Sequence, residues 1–179
     1  IALDIRLNEA LEHNLIVPFH YYGISDIQSI DYGNVDLAKI DLLAKLLSVN
    51  KRVDFIIDKM NFYSNSGNKR KVLGFCVSKE HYNFMAIEFN KKGINSITLT
   101  SDDSISKREE YIQKLENEND SLEVIFTVDI FNEGIDIPSI NMVLFLRPTN
   151  SPIVFVQQLG RGLRKYKNKE FLTVLDFIG

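Results

Sequence analysis

From residue 72 onward, short apolar segments alternate with stretches whose apolar residues recur at helical spacing, and this alternation strongly constrains the fold. Strands that are joined through helices run parallel, and strands that are apolar throughout are covered on both faces. We therefore predict an α/β fold, a parallel sheet flanked by helices on both faces. The predicted strands are 72–77, 96–99, 123–127, 141–146 and 171–177, and the predicted helices are 79–92, 104–117 and 152–164.

The first part of the chain has a different pattern and is predicted to be mainly helical. Its apolar residues at helical spacing are Leu37, Ile40, Leu43, Ala44 and Leu47, followed by Val53, Ile56, Ile57 and Met60. The aromatic and β-branched stretch 17–22 is predicted as a strand. Because 63–70 has the Ser, Asn and Gly content of a loop, we predict a boundary there, between an extension at 1–70 and an α/β domain at 71–179.

Composition limits the class of protein. The single cysteine, Cys76, and three scattered histidines predict neither disulfides nor a metal site, and Cys76 is expected in the core of an intracellular, cytoplasmic protein. No apolar run approaches the roughly 18 residues of a membrane span, and the first residues do not have the charged-then-apolar pattern of a signal peptide. A net charge of -3 provides no general basic field, so nucleic-acid binding would need a local patch. The chain starts at Ile1, and we expect it to be part of a longer polypeptide.

The stretch QQLGRGLR, residues 157–164, carries the most informative side chains. On a helix that begins near Pro152, Gln157, Arg161 and Arg164 lie on one face, opposite an apolar stripe that would dock on the sheet. Paired guanidinium groups suit a triphosphate, because each can bond two phosphate oxygens and stabilise charge during phosphoryl transfer. The alternative is a solvated basic face near the end of a helix.

The loop that follows the strand 123–127 is a second candidate, because ligands of open parallel sheets bind beyond the carboxyl ends of the strands. Gly134 permits close approach of a ligand, and Asp136 offers a carboxylate to the hydroxyl groups of a ribose. The alternative is an ordinary turn in which the glycine bends the chain and the aspartate caps it.

Two further residues are placed to contact phosphates. Ser78 lies between a strand end and a helix start, where it either holds a backbone phosphate or only caps the helix. Arg108, early in its helix, either reaches a phosphate or forms an exposed salt bridge with Glu109 or Glu110. The sequence contains neither a GxxxxGK[ST] phosphate loop nor an acidic DExx box, so the chain alone lacks the usual means of holding a nucleoside triphosphate.

Taken in order and spacing, three stretches resemble motifs of the C-terminal RecA-like lobe of superfamily 2 DEAD/DEAH-box helicases, a P-loop NTPase-type fold. VLGFCVS at 72–78 resembles motif IV, FTVDIFNEGIDIP at 126–138 resembles motif V, and QQLGRGLR resembles motif VI. The nearest resemblance is to bacterial helicases related to type III restriction subunits, of the multidomain kind with a phospholipase-D-like nuclease region. In these, a stretch like 7–26 leads from the first lobe into the second.

The resemblance implies roles for particular residues. Arg161 and Arg164 would be catalytic arginine fingers that reach ATP on the partner lobe, Gln157 would begin that motif, and Gly134 and Asp136 would line the ribose side. The residues that would contact nucleic acid are Ser78, Arg108, Thr127 and Asp129.

The implied function is the second motor lobe of an ATP-dependent helicase or translocase, with ATP and Mg²⁺ held mainly by the N-terminal lobe of the same polypeptide. Gln158, where arginine is common, and Val128, where many relatives have threonine, both depart from the pattern of DEAD-box RNA helicases. The Gln158 form resembles restriction-type and DNA-repair relatives, which implies double-stranded DNA as the track. The isolated chain is expected to be inactive as an ATP hydrolase. The alternative is a degenerate, non-catalytic lobe that acts as a nucleic-acid or protein interaction module.

Overall fold

The computed structural model describes residues 19–64, 67–128, 137–148 and 171–178. Six strands of this part of the chain form one sheet in the order β1-β6-β5-β2-β4-β3, and every neighbouring pair is parallel. The strands are β1 (Phe19–Ser25), β2 (Val72–Phe75), β3 (Ser96–Thr98), β4 (Val124–Thr127), β5 (Met142–Phe145) and β6 (Leu172–Ile178). The predicted parallel sheet is confirmed.

Four helices lie within the described residues: α1 (Ile40–Leu47), α2 (Asn50–Tyr63), α3 (Lys79–Lys91) and α4 (Ile105–Glu116). One apolar position of the predicted periodicity lies outside its helix: Leu37 precedes α1 and is 47% exposed. The Asp36 carboxylate accepts a hydrogen bond from the backbone N–H of Ala38, which holds a turn there and delays the helix to Ile40. The predicted helix 152–164 lies outside the described residues.

Both faces of the sheet are covered, because successive residues of each strand point to opposite sides. In β2, Val72 belongs to a core shared with α2 and α3, whereas Leu73 belongs to a core shared with α4. From α2, Val53, Ile56 and Met60 are fully buried against the first face. This is the predicted α/β arrangement, with helices on both faces of a parallel sheet.

The extension predicted at 1–70 contributes to the same sheet. β1 pairs with β6 along its whole length, from Phe19 opposite Leu172 to Ser25 opposite Ile178. The boundary near residue 70 stays a prediction. Within the described ranges, no helix is both long enough and apolar enough to cross a membrane.

Candidate functional site at the carboxyl edge of the sheet

The carboxyl ends of β2 and β4 are neighbours at one edge of the sheet. Phe75 lies opposite Thr127, and the backbone N–H of Cys76 donates to the Thr127 carbonyl at 2.8 Å. Because α3 follows β2 and α4 follows the β3 strand, the N-termini of both helices lie at this edge as well. Helix N-termini present unpaired N–H groups and positive partial charge, which favour anions. The edge is therefore chemically suited to phosphate groups.

Ser78 is the N-cap of α3. Its hydroxyl accepts a hydrogen bond from the His81 backbone N–H at 3.3 Å, and the side chain is half-buried. The capping role considered for Ser78 is thus observed in the structure. Its contact with a nucleic-acid phosphate stays a prediction.

Thr127, the last residue of β4, is fully buried, and its hydroxyl has no hydrogen-bond partner within the described part of the chain. Arg108, the fourth residue of α4, is half-buried, and its backbone N–H donates to the Ser104 carbonyl at 3.0 Å. The structure therefore brings Thr127 and Ser78 to one edge and puts Arg108 in the first turns of a helix that starts there. Their roles in nucleic-acid binding stay predictions.

The remaining predicted site residues belong to two stretches, 129–136 and 149–170, that lie outside the described residues. They are Asp129, Gly134, Asp136, Gln157, Arg161 and Arg164.

The sequence analysis missed a buried ion pair at the same edge. Arg52 in α2 is 0% exposed, and its Nε donates to Oδ2 of Asp26 at 2.8 Å. One signal could have revealed it: Arg52 precedes the buried residues Ile56 and Met60 by four and eight positions, so it occupies the apolar face of the helix.

His81 is a second buried polar residue that the sequence did not single out for any role. Its Nδ1 accepts a hydrogen bond from the Val77 backbone N–H at 3.1 Å, so the ring is neutral, with its proton on Nε2. Burial, and secondarily the charge of Arg52, lower the pKa of His81 to about 3. An imidazole that stays neutral at physiological pH fits a packing role, not proton transfer.

Tyr21 and Asp176 form a third polar contact, between β1 and the carboxyl end of β6. The Tyr21 hydroxyl donates to Oδ2 of the buried Asp176. Burial raises the pKa of Asp176, and the hydrogen bond from Tyr21 partly opposes that shift. Over the described ranges, no group of three or more His, Cys, Asp or Glu side chains is placed to hold a metal ion.

Two solved structures share this architecture. The ATP-dependent Type ISP restriction-modification enzyme LlaBIII bound to DNA is similar over 95% of this chain and 12% of its own, with a TM-score of 0.62 and 21% identity. The Escherichia coli DEAD-box protein SrmB is similar over 91% of this chain and 77% of its own, with a TM-score of 0.53 and 21% identity. The chain therefore has the RecA-like fold of helicase C-terminal lobes.

The family follows from the sequence comparison. Residues 39–166, well over half of the chain, match the helicase conserved C-terminal domain. This protein therefore belongs to the helicase conserved C-terminal domain family, as the resemblance of its three motifs implied.

Two curated relatives match over much of the chain. The Saccharomyces cerevisiae protein named "Putative ATP-dependent helicase IRC3" is 31% identical over 87% of this chain. The Type I restriction enzyme EcoKI endonuclease subunit of Escherichia coli is 30% identical over 69% of it. The chain spans only 22% and 12% of the length of these relatives, respectively.

Proposed function

We propose that this chain is the second motor lobe of an ATP-dependent helicase or translocase that moves on double-stranded DNA. The observation that carries the proposal is the family match, which extends over 39–166 and so includes both the loop at 129–136 and the arginine stretch at 157–164. Relatives whose names include ATP-dependent helicase and restriction enzyme subunit support the reaction class.

In this proposal, Arg161 and Arg164 complete an ATP site that another lobe of the same polypeptide holds. Each guanidinium is permanently charged and forked, so it stabilises the negative charge that spreads over the γ-phosphate oxygens during transfer to water. Gln157, Gly134 and Asp136 line the same nucleotide. Mg²⁺ would be held on the first lobe, where it neutralises phosphate charge.

Nucleic acid is proposed to bind along the carboxyl edge through Ser78, Arg108, Thr127 and Asp129. The N-terminus of α3 supports this placement, because its N–H groups and dipole favour a backbone phosphate. The LlaBIII structure, which is bound to DNA, favours DNA as the track.

A cytoplasmic location and a phospholipase-D-like region elsewhere in the full-length protein remain predictions.

The test is ATP hydrolysis by the full-length protein with Arg161→Ala. Loss of an arginine finger typically costs on the order of 10³-fold or more in turnover, whereas folding should be unaffected, because the side chain serves the other lobe's ligand. We expect hydrolysis to be nearly abolished while the thermal midpoint of the variant stays at the parent value. Purified residues 1–179 alone should show no appreciable hydrolysis.

Lys167→Ala is the matched control, because Lys167 is a nearby basic residue outside the motif 157–164 and should tolerate the change. Stimulation of hydrolysis by duplex DNA, single-stranded DNA and RNA identifies the track. Near-normal turnover of Arg161→Ala would rule out the arginine-finger role. A full-length protein that binds nucleic acid and hydrolyses no ATP would instead be the non-catalytic interaction module.

A further inference from the structure

Two ion pairs lie at the carboxyl edge of the sheet, where nucleic acid is proposed to bind. Lys79 directly follows Ser78 and pairs with Asp102. Lys107, in the first turn of α4, pairs with Asp103 at 2.5 Å. Both carboxylates belong to the turn 100–103 between β3 and α4. This turn therefore brings negative charge to the place where phosphates are proposed to bind.

The two ion pairs belong to one cluster of charges. The side chain of Tyr82, in α3, is buried, and burial raises the pKa of its hydroxyl. All four charged side chains act on this hydroxyl, the lysines lowering its pKa and the carboxylates raising it. A phosphate that reaches either lysine therefore also meets the carboxylates, whose like charge opposes it.

The two carboxylates are held differently. The side chain of Asp103 is 15% exposed, and its carboxylate also accepts a hydrogen bond from the Thr100 backbone N–H at 2.8 Å. The side chain of Asp102 is 71% exposed, and within the described ranges its carboxylate has no partner other than Lys79. Asp103 is therefore fixed to the turn. Asp102 can leave Lys79 at little cost, because an exposed ion pair contributes little to stability.

We infer that Asp102 is an autoinhibitory residue for the nucleic-acid edge, an inference that rests on the proposed function. In the free protein, its carboxylate occupies the ammonium group of Lys79. When nucleic acid binds, a backbone phosphate takes the place of the carboxylate on Lys79. The exchange involves no base, so it weakens binding to every sequence alike.

This exchange has a signature in the salt dependence of binding. A lysine that neutralises a phosphate releases a condensed counterion, which contributes about 0.9 to the slope of log affinity against log salt concentration. In the parent protein, Asp102 becomes unpaired at the same time and attracts a cation from solution, so the two effects largely cancel. Without this carboxylate, Lys79 contributes its full counterion release and adds to the affinity.

The experiment measures binding of a short fluorescein-labelled duplex DNA to the full-length protein by anisotropy, over a series of KCl concentrations. Asp102→Asn keeps the shape of the side chain and removes its charge. We expect this variant to bind at least about threefold more tightly at low salt, with a slope that is steeper by about 0.9. Its thermal midpoint should stay at the parent value, since the ion pair is exposed.

Lys79→Gln tests whether the gain acts through this lysine. In the Lys79→Gln background, Asp102→Asn should lose most of its gain in affinity, because the cation that the carboxylate occupied is gone. Glu110→Gln is the matched control. It also removes one negative charge and frees a lysine, because Glu110 pairs at 2.8 Å with Lys114 in the last turn of α4. It should leave the affinity unchanged.

An unchanged affinity of Asp102→Asn would overturn the autoinhibitory role. An equal gain in the Lys79→Gln background, or in Glu110→Gln, would overturn it too, since either result would show a general effect of charge. If the parent protein binds DNA and one of these results is found, only this inference fails. If neither the parent nor Asp102→Asn binds duplex DNA, single-stranded DNA or RNA, the proposed function itself fails.

Discussion

Gly74, in the centre of β2, shows how a side chain on a neighbouring strand can restrict which residue type fits at a position. A Cβ built on Gly74 would lie 2.6 and 2.8 Å from two atoms of the Phe126 ring. That ring is fully buried, and it contacts Phe89 edge-on with centroids 4.9 Å apart. The ring therefore has little room to move away, and the close approach requires glycine.

We expect Gly74→Ala to lower the free energy of unfolding by about 1–3 kcal/mol, the usual cost of overpacking a dense core. Urea unfolding followed by circular dichroism measures it. The companion variant Phe126→Leu should reduce the cost of Gly74→Ala, because it removes the clashing ring atoms. An equal cost in both backgrounds would mean that the clash is not the cause.

Among single residues, the sequence predicted caps and core positions better than buried polar groups. Cys76 is fully buried as expected, and Ser78 accepts a capping hydrogen bond, one of the two roles considered for it. Arg52 and Asp26 were not foreseen, because they are 26 positions apart and only the fold makes them partners. Neighbouring residues reveal a cap, whereas the place of Arg52 on the apolar face of α2 indicates its burial but not its partner.

At the scale of elements, residues within α3 and directly beside it determine where this helix begins and ends. Its C-terminus is a Schellman motif: Gly93 has φ 80°, the Ile94 N–H donates to the Phe89 carbonyl, and the Gly93 N–H donates to the Asn90 carbonyl. Because positive φ favours glycine, the end of the helix was predictable from this one residue.

The C-terminus of α4 is instead capped from a distant part of the chain. The Lys69 ammonium donates to the carbonyls of Lys114, Leu115 and Asn117 at 2.8–3.1 Å. It thereby satisfies carbonyls that have no partner within the helix and complements the negative end of the helix dipole. Lys69 belongs to a segment whose composition indicated only a loop, so its capping role could not be predicted.

Lys69→Met should lower the free energy of unfolding by about 1–2 kcal/mol, since it removes charge-assisted bonds to three carbonyls while keeping a long apolar side chain. Thermal or urea unfolding measures the change. Lys107→Met is the matched control, because Lys107 forms an exposed pair with Asp103 that should contribute at most about 0.5 kcal/mol. Equal effects of the two changes would argue against the cap.

At the scale of the whole molecule, both faces of one sheet are buried, and this protects the single cysteine. Cys76 directly follows β2 and belongs to the core shared with α2 and α3. Burial raises the pKa of its thiol far above the usual value, so the reactive thiolate is suppressed in the folded state. The thiol is therefore a reporter of global unfolding.

We expect no reaction of Cys76 with an aromatic disulfide reagent under native conditions within the time that an unfolded control reacts completely. In a denaturant series, labelling should appear at the same midpoint as the loss of circular dichroism, because exposure of this fully buried thiol requires opening of the core shared with α2 and α3. Labelling well below that midpoint would indicate local opening around β2.

The sequence by itself determined which described segments are strands or helices, that Ser78 can cap α3, and that the sheet is parallel and covered on both faces. These features depend on local periodicity and on backbone preferences of single residues. It also identified the three motifs that connect the chain with helicase C-terminal lobes, although all of their charged residues lie outside the described part of the structure.

Only the tertiary structure decided the strand order, in which β2 lies between β4 and β5 and β1 pairs with β6. It also decided that Arg52 is buried against Asp26, that Lys69 caps α4, and that Phe126 excludes a side chain at Gly74. The physical reason is common to all of them: each depends on atoms that are distant in sequence and meet only when the sheet has assembled.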